Sequence, residues 1–345
     1  MTLIAAADLA AFVTSVFVAR GFPPHDAAQV ADVLVWADLR GVDSHGVERL
    51  PSYLAIIGRG EMKPDAKPVL QDVAPALFRV DSDRASGPVP MMMAMEEALS
   101  RARMFGVACG VVCRSAHTGA IGYYAQWGAR RGCATIVMGS GPPLMAYHGA
   151  RVASLSTSPL AIAVPGGPDG VLTLDMATAV AAAGKLKQHE RESRPIPEGW
   201  ALDKAGAPTT DPAAAAIALP IGGPKGAGLG LMFECLTSLM AGAPLLAAMV
   251  GPGRKPFHMQ SEMVIAVDVK RFRDVEDYAA DVDALADVIR GLPRADEAEP
   301  IRLPGERAEA EARRREAEGV PLSPRLRDQL VEIARACGVP EPAFR

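Results

Sequence analysis

Imidazole, guanidinium, hydroxyl and phenol groups crowd one short stretch of the chain, Arg40-Gly-Val-Asp-Ser-His-Gly-Val-Glu-Arg-Leu-Pro-Ser-Tyr53. The imidazole of His45 belongs to the one side-chain type whose ordinary pKa, about 6.5, suits proton transfer at neutral pH. Arg49 can hold a carboxylate through two parallel hydrogen bonds. Ser44 adjoins the histidine, and Tyr53 lies one helical turn beyond Arg49. A helix N-terminus beside His45 would favour its neutral form and draw an anion to the same place. A histidine in a turn is also commonplace, and the stretch alone allows that plainer reading.

Further segments offer partners. Ser115-Ala-His-Thr-Gly-Ala-Ile-Gly122 lies between an apolar strand and a helix, where ligands collect in α/β proteins, so His117 is placed to meet one. Its glycines allow close backbone approach, although a helix-capping loop with an incidental histidine reads the same way. Thr173-Leu-Asp-Met-Ala-Thr178 carries a carboxylate, Asp175, off the end of a strand. That group suits a ribose hydroxyl, an imidazole to be oriented, or the start of a helix. Leu219-Pro-Ile-Gly-Gly-Pro-Lys-Gly-Ala-Gly-Leu-Gly230 opens a helix with Lys225 and suits an anion, or simply packs a helix through small residues.

Several known signatures are missing. Gly226, Gly228 and Gly230 are spaced G-x-G-x-G, which is not the dinucleotide fingerprint G-x-G-x-x-G, and no G-K-[ST] phosphate loop occurs. His189-Glu190 lacks the second histidine of H-E-x-x-H, and no G-x-S-x-G elbow is present. Cys109, Cys113, Cys133, Cys235 and Cys337 are scattered through apolar runs, with no second pair to complete a zinc site. They read as reduced thiols of a cytoplasmic protein, and no metal is expected.

The elements that must position these groups follow from periodicity. Apolar stripes predict helices over residues 8–20, 26–40 and 49–58, with Pro51 in the first turn of the third and 41–46 as the connection feeding it. Strands are predicted over 69–80 (one or two), 107–113, 134–138, 160–164, 171–175 and 263–269. Helices are predicted over 89–104, 120–131 and 227–240, and 195–212 reads as a long loop. The Met91 to Met95 cluster reads as core. Past residue 275 the chain returns to helix. There the i,i+4 pairs Glu309–Arg313 and Glu311–Arg315 look like a solvated face, and Ser323-Pro324 caps the last helix. The expected architecture is α/β: a central mixed-sheet domain over 71–289, and a helical domain made by both termini, 1–70 with 290–345.

Composition bounds the function. The 345 residues are 49% apolar and 22% charged, as in an ordinary folded protein, and the formal net charge is −4. That balance argues against nucleic acid as a partner. The apolar run 9–19 is broken by Thr14 and Ser15 and too short to span a bilayer, and residues 1–7 carry no basic residue of a secretory signal, so no membrane partner is expected.

Taken in order, these segments resemble the type-2 malate/L-lactate dehydrogenase family of NAD(P)-dependent oxidoreductases. The markers are Arg40-Gly-Val-Asp-Ser-His-Gly46 with Arg49-Leu-Pro51, Ser115-Ala-His117 with Gly119 and Gly122, and Ser158-Pro-Leu160. They continue through Leu174-Asp-Met-Ala-Thr178, Pro208-Thr-Thr-Asp-Pro212, Pro220-Ile-Gly-Gly-Pro-Lys-Gly226 and Arg302-Leu-Pro-Gly-Glu306. The resemblance implies a non-Rossmann fold, a homodimer, NAD or NADP as cofactor, and a small carboxylate substrate. It assigns acid/base catalysis to His45 with Ser44 beside it, substrate-carboxylate binding to Arg49, and an active-site position to His117. Cofactor contacts carry over to Leu174, Asp175, Met176, Ala177 and Thr178, to Lys225, and to Gly305, Glu306 and Arg307. The implied reaction moves hydride between the cofactor and a 2-hydroxy or 2-oxo acid. Reduction of a cyclic ketimine carboxylate is the alternative, suggested by His148-Gly-Ala-Arg151. A metal-dependent hydrolase or lyase built on His45, His117 and Asp175, or an inactive binding homologue, are readings of another class. The chain departs from the family pattern at Ala179, at Ser156-Thr-Ser-Pro159 and at Thr118.

Overall fold

A computed structural model describes residues 2–167, 169–181, 183–242, 259–296 and 298–345. The N-terminal helices α1 (Ala6–Ala19), α2 (Pro24–Leu39) and α3 (Leu50–Gly58) match the predicted stripes. In α1 the buried residues are Leu9, Phe12, Val13, Val16 and Phe17, the spacing of one helical face. Pro51 lies in the first turn of α3, where its missing N–H costs nothing. The connection before it differs from expectation. Two tight 3-10 turns, Asp43–His45 and Val47–Arg49, separate His45 from the start of α3, so the helix N-terminus is not beside the imidazole.

The chain then enters its main sheet. Its strands are β2 (Val69–Ala74), β3 (Leu77–Asp81), β4 (Val107–Ser115), β5 (Cys133–Ser140), β8 (Leu160–Pro165), β9 (Val171–Met176) and β13 (Gln260–Asp268). They lie in the order β2-β3-β4-β13-β5-β8-β9, with β3 and β4 parallel and the other neighbours antiparallel. This mixed sheet is unlike the all-parallel doubly wound sheet, which agrees with the missing glycine fingerprint. Alternation along the strands divides the two faces. Ala108, Val112, Val137, Ala161, Ala163, Val264 and Ala266 face α4 (Pro88–Phe105) and α5 (Gly122–Ala129). The alternate residues Val111, Ile136, Met138, Leu160 and Met263 pack with Phe233 and Leu236 on α7 (Pro224–Glu234) and the π-helical turn that continues it. Met91 and Met95 of α4 are fully buried, as core residues should be.

Smaller pieces complete the chain. A second sheet has the order β11-β10-β12-β6-β7, from β6 (Met145–Ala146), β7 (Ala153–Leu155), β10 (Ala201–Leu202), β11 (Pro208–Thr209) and β12 (Ile217–Ala218). It therefore gives the predicted loop 195–212 two short strands. Helix α6 (Ala183–Arg191) follows β9. The C-terminal region holds α8 (Val275–Arg290), α9 (Glu306–Glu318) and α10 (Pro324–Cys337). Ser323 caps α10 by accepting from Leu326 N at 3.2 Å. Strand β1 (Thr2–Ile4) pairs antiparallel with β14 (Val320–Leu322), tying the two ends of the chain together. One apolar cluster accordingly joins Leu9, Phe17, Leu34, Tyr53 and Met62 to Leu322, Leu326 and Leu330. Among the described residues no helix is long and apolar enough to cross a membrane.

The expected solvated face of α9 is a correction. Glu309 pairs with Arg40, not Arg313, and Arg315 is buried with 7% of its surface exposed. Both side chains turn inward, toward α2 and the turn that carries His45.

Candidate active site

His45 and His117 come from different regions and meet with ring centroids 5.6 Å apart. His45 sits in the Asp43–His45 turn, which contains no buried residue and is held by polar contacts. Its backbone N–H donates to Val42 O at 2.8 Å. Arg49 Nε donates to Ser44 O at 2.7 Å, and the buried Asp38 carboxylate accepts Val47 N at 2.9 Å. Gly46 lies so close to Asp38 that a Cβ there would overlap the carboxylate. Burial raises the Asp38 carboxyl well above the usual range, opposed by the Val47 N–H.

Ser44 Oγ lies 3.1 Å from His45 Nδ1, which leaves Nε2 as the free edge of the imidazole. His45 keeps part of its surface exposed, yet protein crowds the ring and strips water from it, which, with the charge of Arg49 as a smaller contribution, depresses its pKa to about 4. The neutrality expected from a helix N-terminus is thus produced by a crowded crevice and a neighbouring cation.

His117 follows β4. Its Nδ1 lies 2.8 Å from Tyr53 Oη and accepts the Gly119 N–H at 3.2 Å. A backbone N–H can only donate, so Nδ1 is the acceptor and the neutral ring carries its proton on Nε2. The flanking residues are pinned to β13. Ser115 Oγ donates to Glu262 Oε2 at 3.0 Å, and Thr118 N and Oγ1 donate to Gln260 Oε1 at 2.8 and 3.0 Å. Glu262 is buried, which pushes its carboxyl up to about 8 against the lowering effect of the Ser115 and Thr118 hydrogen bonds.

The expected cofactor residues line one wall, β9 and the segment after it. Gly305, in the left-handed region at φ +86°, packs on the Thr173 carbonyl. Asp175 accepts Gly122 N at 3.0 Å, so it caps the start of α5 from across the fold. It is open to solvent, yet protein crowds its carboxyl and raises the pKa to about 6. Leu174, Met176 and Ala177 are half-buried along the same run. Thr178 is buried, with N and Oγ1 both donating to Thr157 O at 2.9 Å. At the departures from the family pattern, Ala179 is buried and bridges to Pro220, and Ser158 is held at φ +38° with its hydroxyl 2.8 Å from that of Ser156.

Other expected residues stand apart. Lys225 is exposed in the first turn of α7. The Glu306 carboxylate is engaged by Arg290 Nε at 2.7 Å and Leu303 N at 2.9 Å. Arg307 faces an outer cavity with Arg302 and Arg313. Sequence reasoning missed Glu262, Gln260 and Asp38 as supports. A signal existed for Glu262, a carboxylate on the inward-facing set of an apolar strand. Among the described residues no three His, Cys, Asp or Glu side chains converge as metal ligands.

The residues present fit a nicotinamide dinucleotide. Asp175 offers an acceptor open to a hydroxyl-bearing ligand, Lys225 an exposed cation at a helix start, and Gly184 brings backbone against Ser44.

Comparison with known proteins agrees. Residues 4–331 match the malate/L-lactate dehydrogenase family model. Ureidoglycolate dehydrogenase (NAD(+)) of Escherichia coli O157:H7 is 41% identical over 224 residues, 65% of this chain and 64% of that one. The match thus spans just under two thirds of that relative. L-sulfolactate dehydrogenase of Methanocaldococcus jannaschii is 36% identical across 92% of both chains, and its solved structure superposes with a TM-score of 0.87, covering 98% of each. The structure of delta1-piperideine-2-carboxylate reductase from Pseudomonas syringae pvar. tomato is 28% identical, covers 97% of this chain and 100% of its own, and has a TM-score of 0.85.

Proposed function

The chain belongs to the malate/L-lactate dehydrogenase family, and from that premise we propose that it is a nicotinamide-dependent oxidoreductase of small 2-hydroxy and 2-oxo carboxylic acids. The observation that carries this reading is the His45–His117 pair, 5.6 Å between rings, with the Arg49 guanidinium beside it. Named relatives act on ureidoglycolate and sulfolactate, both 2-hydroxy carboxylates.

When bound, the cofactor supplies or accepts the hydride at the substrate's C2. Arg49 binds the carboxylate and so fixes which face of C2 is presented. His117, as the Nε2–H tautomer, donates a hydrogen bond to the substrate oxygen. His45 Nε2 exchanges the proton, taking it from the hydroxyl in oxidation and returning it in reduction. A substrate carboxylate on Arg49 offsets the smaller, cationic contribution to the depressed His45 pKa, while the larger one, loss of water around the ring, stays.

Asp175, Thr178 and the flanking residues Leu174, Met176 and Ala177 form the cofactor wall in this reading, with Gly305 at its far end. Lys225 meets the phosphates. Glu306 and Arg307 contribute from the first turn of α9, next to Gly305, and the cofactor is NAD or NADP. The family resemblance further supports a homodimer, the scattered cysteines a cytoplasmic location, and the periodicity of the chain a division into domains 1–70 with 290–345 and 71–289. The reductase neighbour supports a second reading, in which a cyclic ketimine carboxylate is reduced with nitrogen in place of oxygen.

The test is oxidation of NADH and NADPH against a panel of oxaloacetate, pyruvate, larger 2-oxo acids and cyclic ketimines of lysine and ornithine analogues. Turnover of an oxo acid is expected. Turnover of ketimines alone would transfer the protein to the second reading. Absence of cofactor binding would overturn both.

A further inference from the structure

We propose that Arg315, at the far end of the chain from His45, is a positioning residue for the acid/base turn. The proposal rests on the assignment of His45 as the acid/base. Arg315 is buried on α9, and its Nη1 donates to Asp43 Oδ1 at 2.7 Å and to the Asp38 carbonyl at 2.6 Å. Its Nε donates to Glu311 Oε1 at 2.5 Å, one turn earlier on the same helix. The guanidinium therefore fastens α9 at once to the end of α2 and to the first residue of the Asp43–His45 turn.

The turn depends on such fastening because its own three residues carry no apolar anchor, the nearest being the buried Val47 two residues on. None of Asp43, Ser44 and His45 is buried, whereas Tyr53 and Leu50 just downstream are. Its place is set by a few polar contacts: Arg315 on Asp43, Arg49 on the Ser44 carbonyl, and Asp38 on the N–H of Val47. Packing does not replace one of these when it is lost. Gly41, at φ +71°, completes the fit. A Cβ there would stand 3.4 Å from Glu311 Cγ and 3.6 Å from an Arg315 nitrogen, so α9 lies directly over the loop leading to the turn.

The same helix carries the expected cofactor loop at its other end, with Gly305 just before its first residue, Glu306. Between them Glu309 accepts from Arg40 Nε and Nη2, both at 3.0 Å, and from Gln126 Nε2 at 2.7 Å. Helix α9 is thus clamped along its length, and Arg315 makes the His45 turn follow it. A displacement near 1 Å at a reacting group costs about 100-fold in rate. Loss of this clamp should therefore appear in kcat and not in cofactor affinity.

The experiment compares Arg315→Met, Arg315→Lys and Asp43→Ala with wild type in a reduction assay, alongside NADH and NADPH binding by fluorescence and thermal melting. Asp43 is half exposed, so its alanine variant removes the same contact even if the arginine variant does not fold. The expected result is a kcat loss of about 10- to 100-fold in Arg315→Met, with cofactor Kd within about twofold of wild type. Arg315→Lys should recover part of the loss, since one ammonium reaches one acceptor but not the fork. Asp43→Ala should lower kcat in the same direction, and the double variant should be no worse than the arginine variant alone. Unchanged kcat in Asp43→Ala, or strict additivity in the double variant, would overturn the proposal and leave Arg315 a purely structural residue. A His45→Asn control keeps the outcomes apart. If that variant turns over normally, the acid/base assignment itself fails, whatever the arginine variants do.

Discussion

His45 and His117 reach the same crevice by opposite constructions. His117 hangs from the end of a sheet strand, its neighbours hydrogen-bonded to the buried Glu262 and the half-buried Gln260 on β13 and its ring fixed by Tyr53 and Gly119. His45 rides on a turn with no buried residue, positioned by guanidinium and carboxylate groups that arrive from α2, from the adjoining Val47–Arg49 turn and from α9. A group that only donates a hydrogen bond can be locked into the core. A group that exchanges a proton with substrate must stay at the edge of the crevice, and a turn held by polar contacts keeps it there.

Replacing the two histidines should separate these roles most strongly. His45→Asn is expected to lower kcat about 1,000-fold, in the range for loss of a general acid–base, with cofactor affinity unchanged. His117→Asn keeps a donor and should lose less. Equal losses in kcat measurements would erase the distinction. Next in size, Arg49→Lys should raise KM for the acid about 10- to 100-fold with a smaller change in kcat, because an ammonium cannot make the two-pronged contact. An unchanged KM would move carboxylate binding elsewhere. Tyr53→Phe leaves the Gly119 contact on His117 Nδ1 and should lower kcat about threefold to tenfold, with about 1 kcal/mol lost from stability.

The smallest effects are in the pH dependence of stability, and their signs differ between the two regions. His45 has a native pKa near 4, below its unfolded value near 6.5. The native state binds fewer protons across that window, so its contribution is present above pH 6.5 and is lost as pH falls toward 4. Glu262 has a native pKa near 8, above an unfolded value of 4.5, so its contribution is full below 4.5 and is lost as pH rises through 8. Melting curves should accordingly show His45→Asn less sensitive to mild acid, and Glu262→Gln more stable than wild type by a few degrees at pH 9. A Glu262→Gln variant that melts lower at pH 9 would contradict the neutral carboxyl near His117.

Much of this arrangement was legible in the sequence because local signals carried it. The apolar stripes of α1 and α4 and the alternation in β4, β8 and β9 are short-range patterns. So is the crowding of Ser44, His45 and Arg49. The supports were not legible, for a physical reason. Glu311 and Arg315 have the i,i+4 spacing of a solvated helix face, and nothing local reveals that Arg315 is buried and continues on to Asp43, a residue hundreds of positions earlier. Glu309 likewise looked like a partner for Arg313, but Arg40 outcompetes it through a two-pronged contact. Residues 41–46 read as a connection leading straight into the helix that Pro51 signals, whereas two 3-10 turns intervene, the second held by Asp38 through Val47 N.

The central claim, that His45 moves the proton for hydride transfer to a 2-oxo acid, is tested most directly by one paired titration. NADH and NADPH are titrated into wild type and His45→Asn, followed by fluorescence, and a 2-oxo acid is then added while absorbance reports oxidation. The account predicts equal cofactor binding by both proteins and rapid oxidation by wild type alone. Equal oxidation by the variant, or no cofactor binding by either protein, would contradict it.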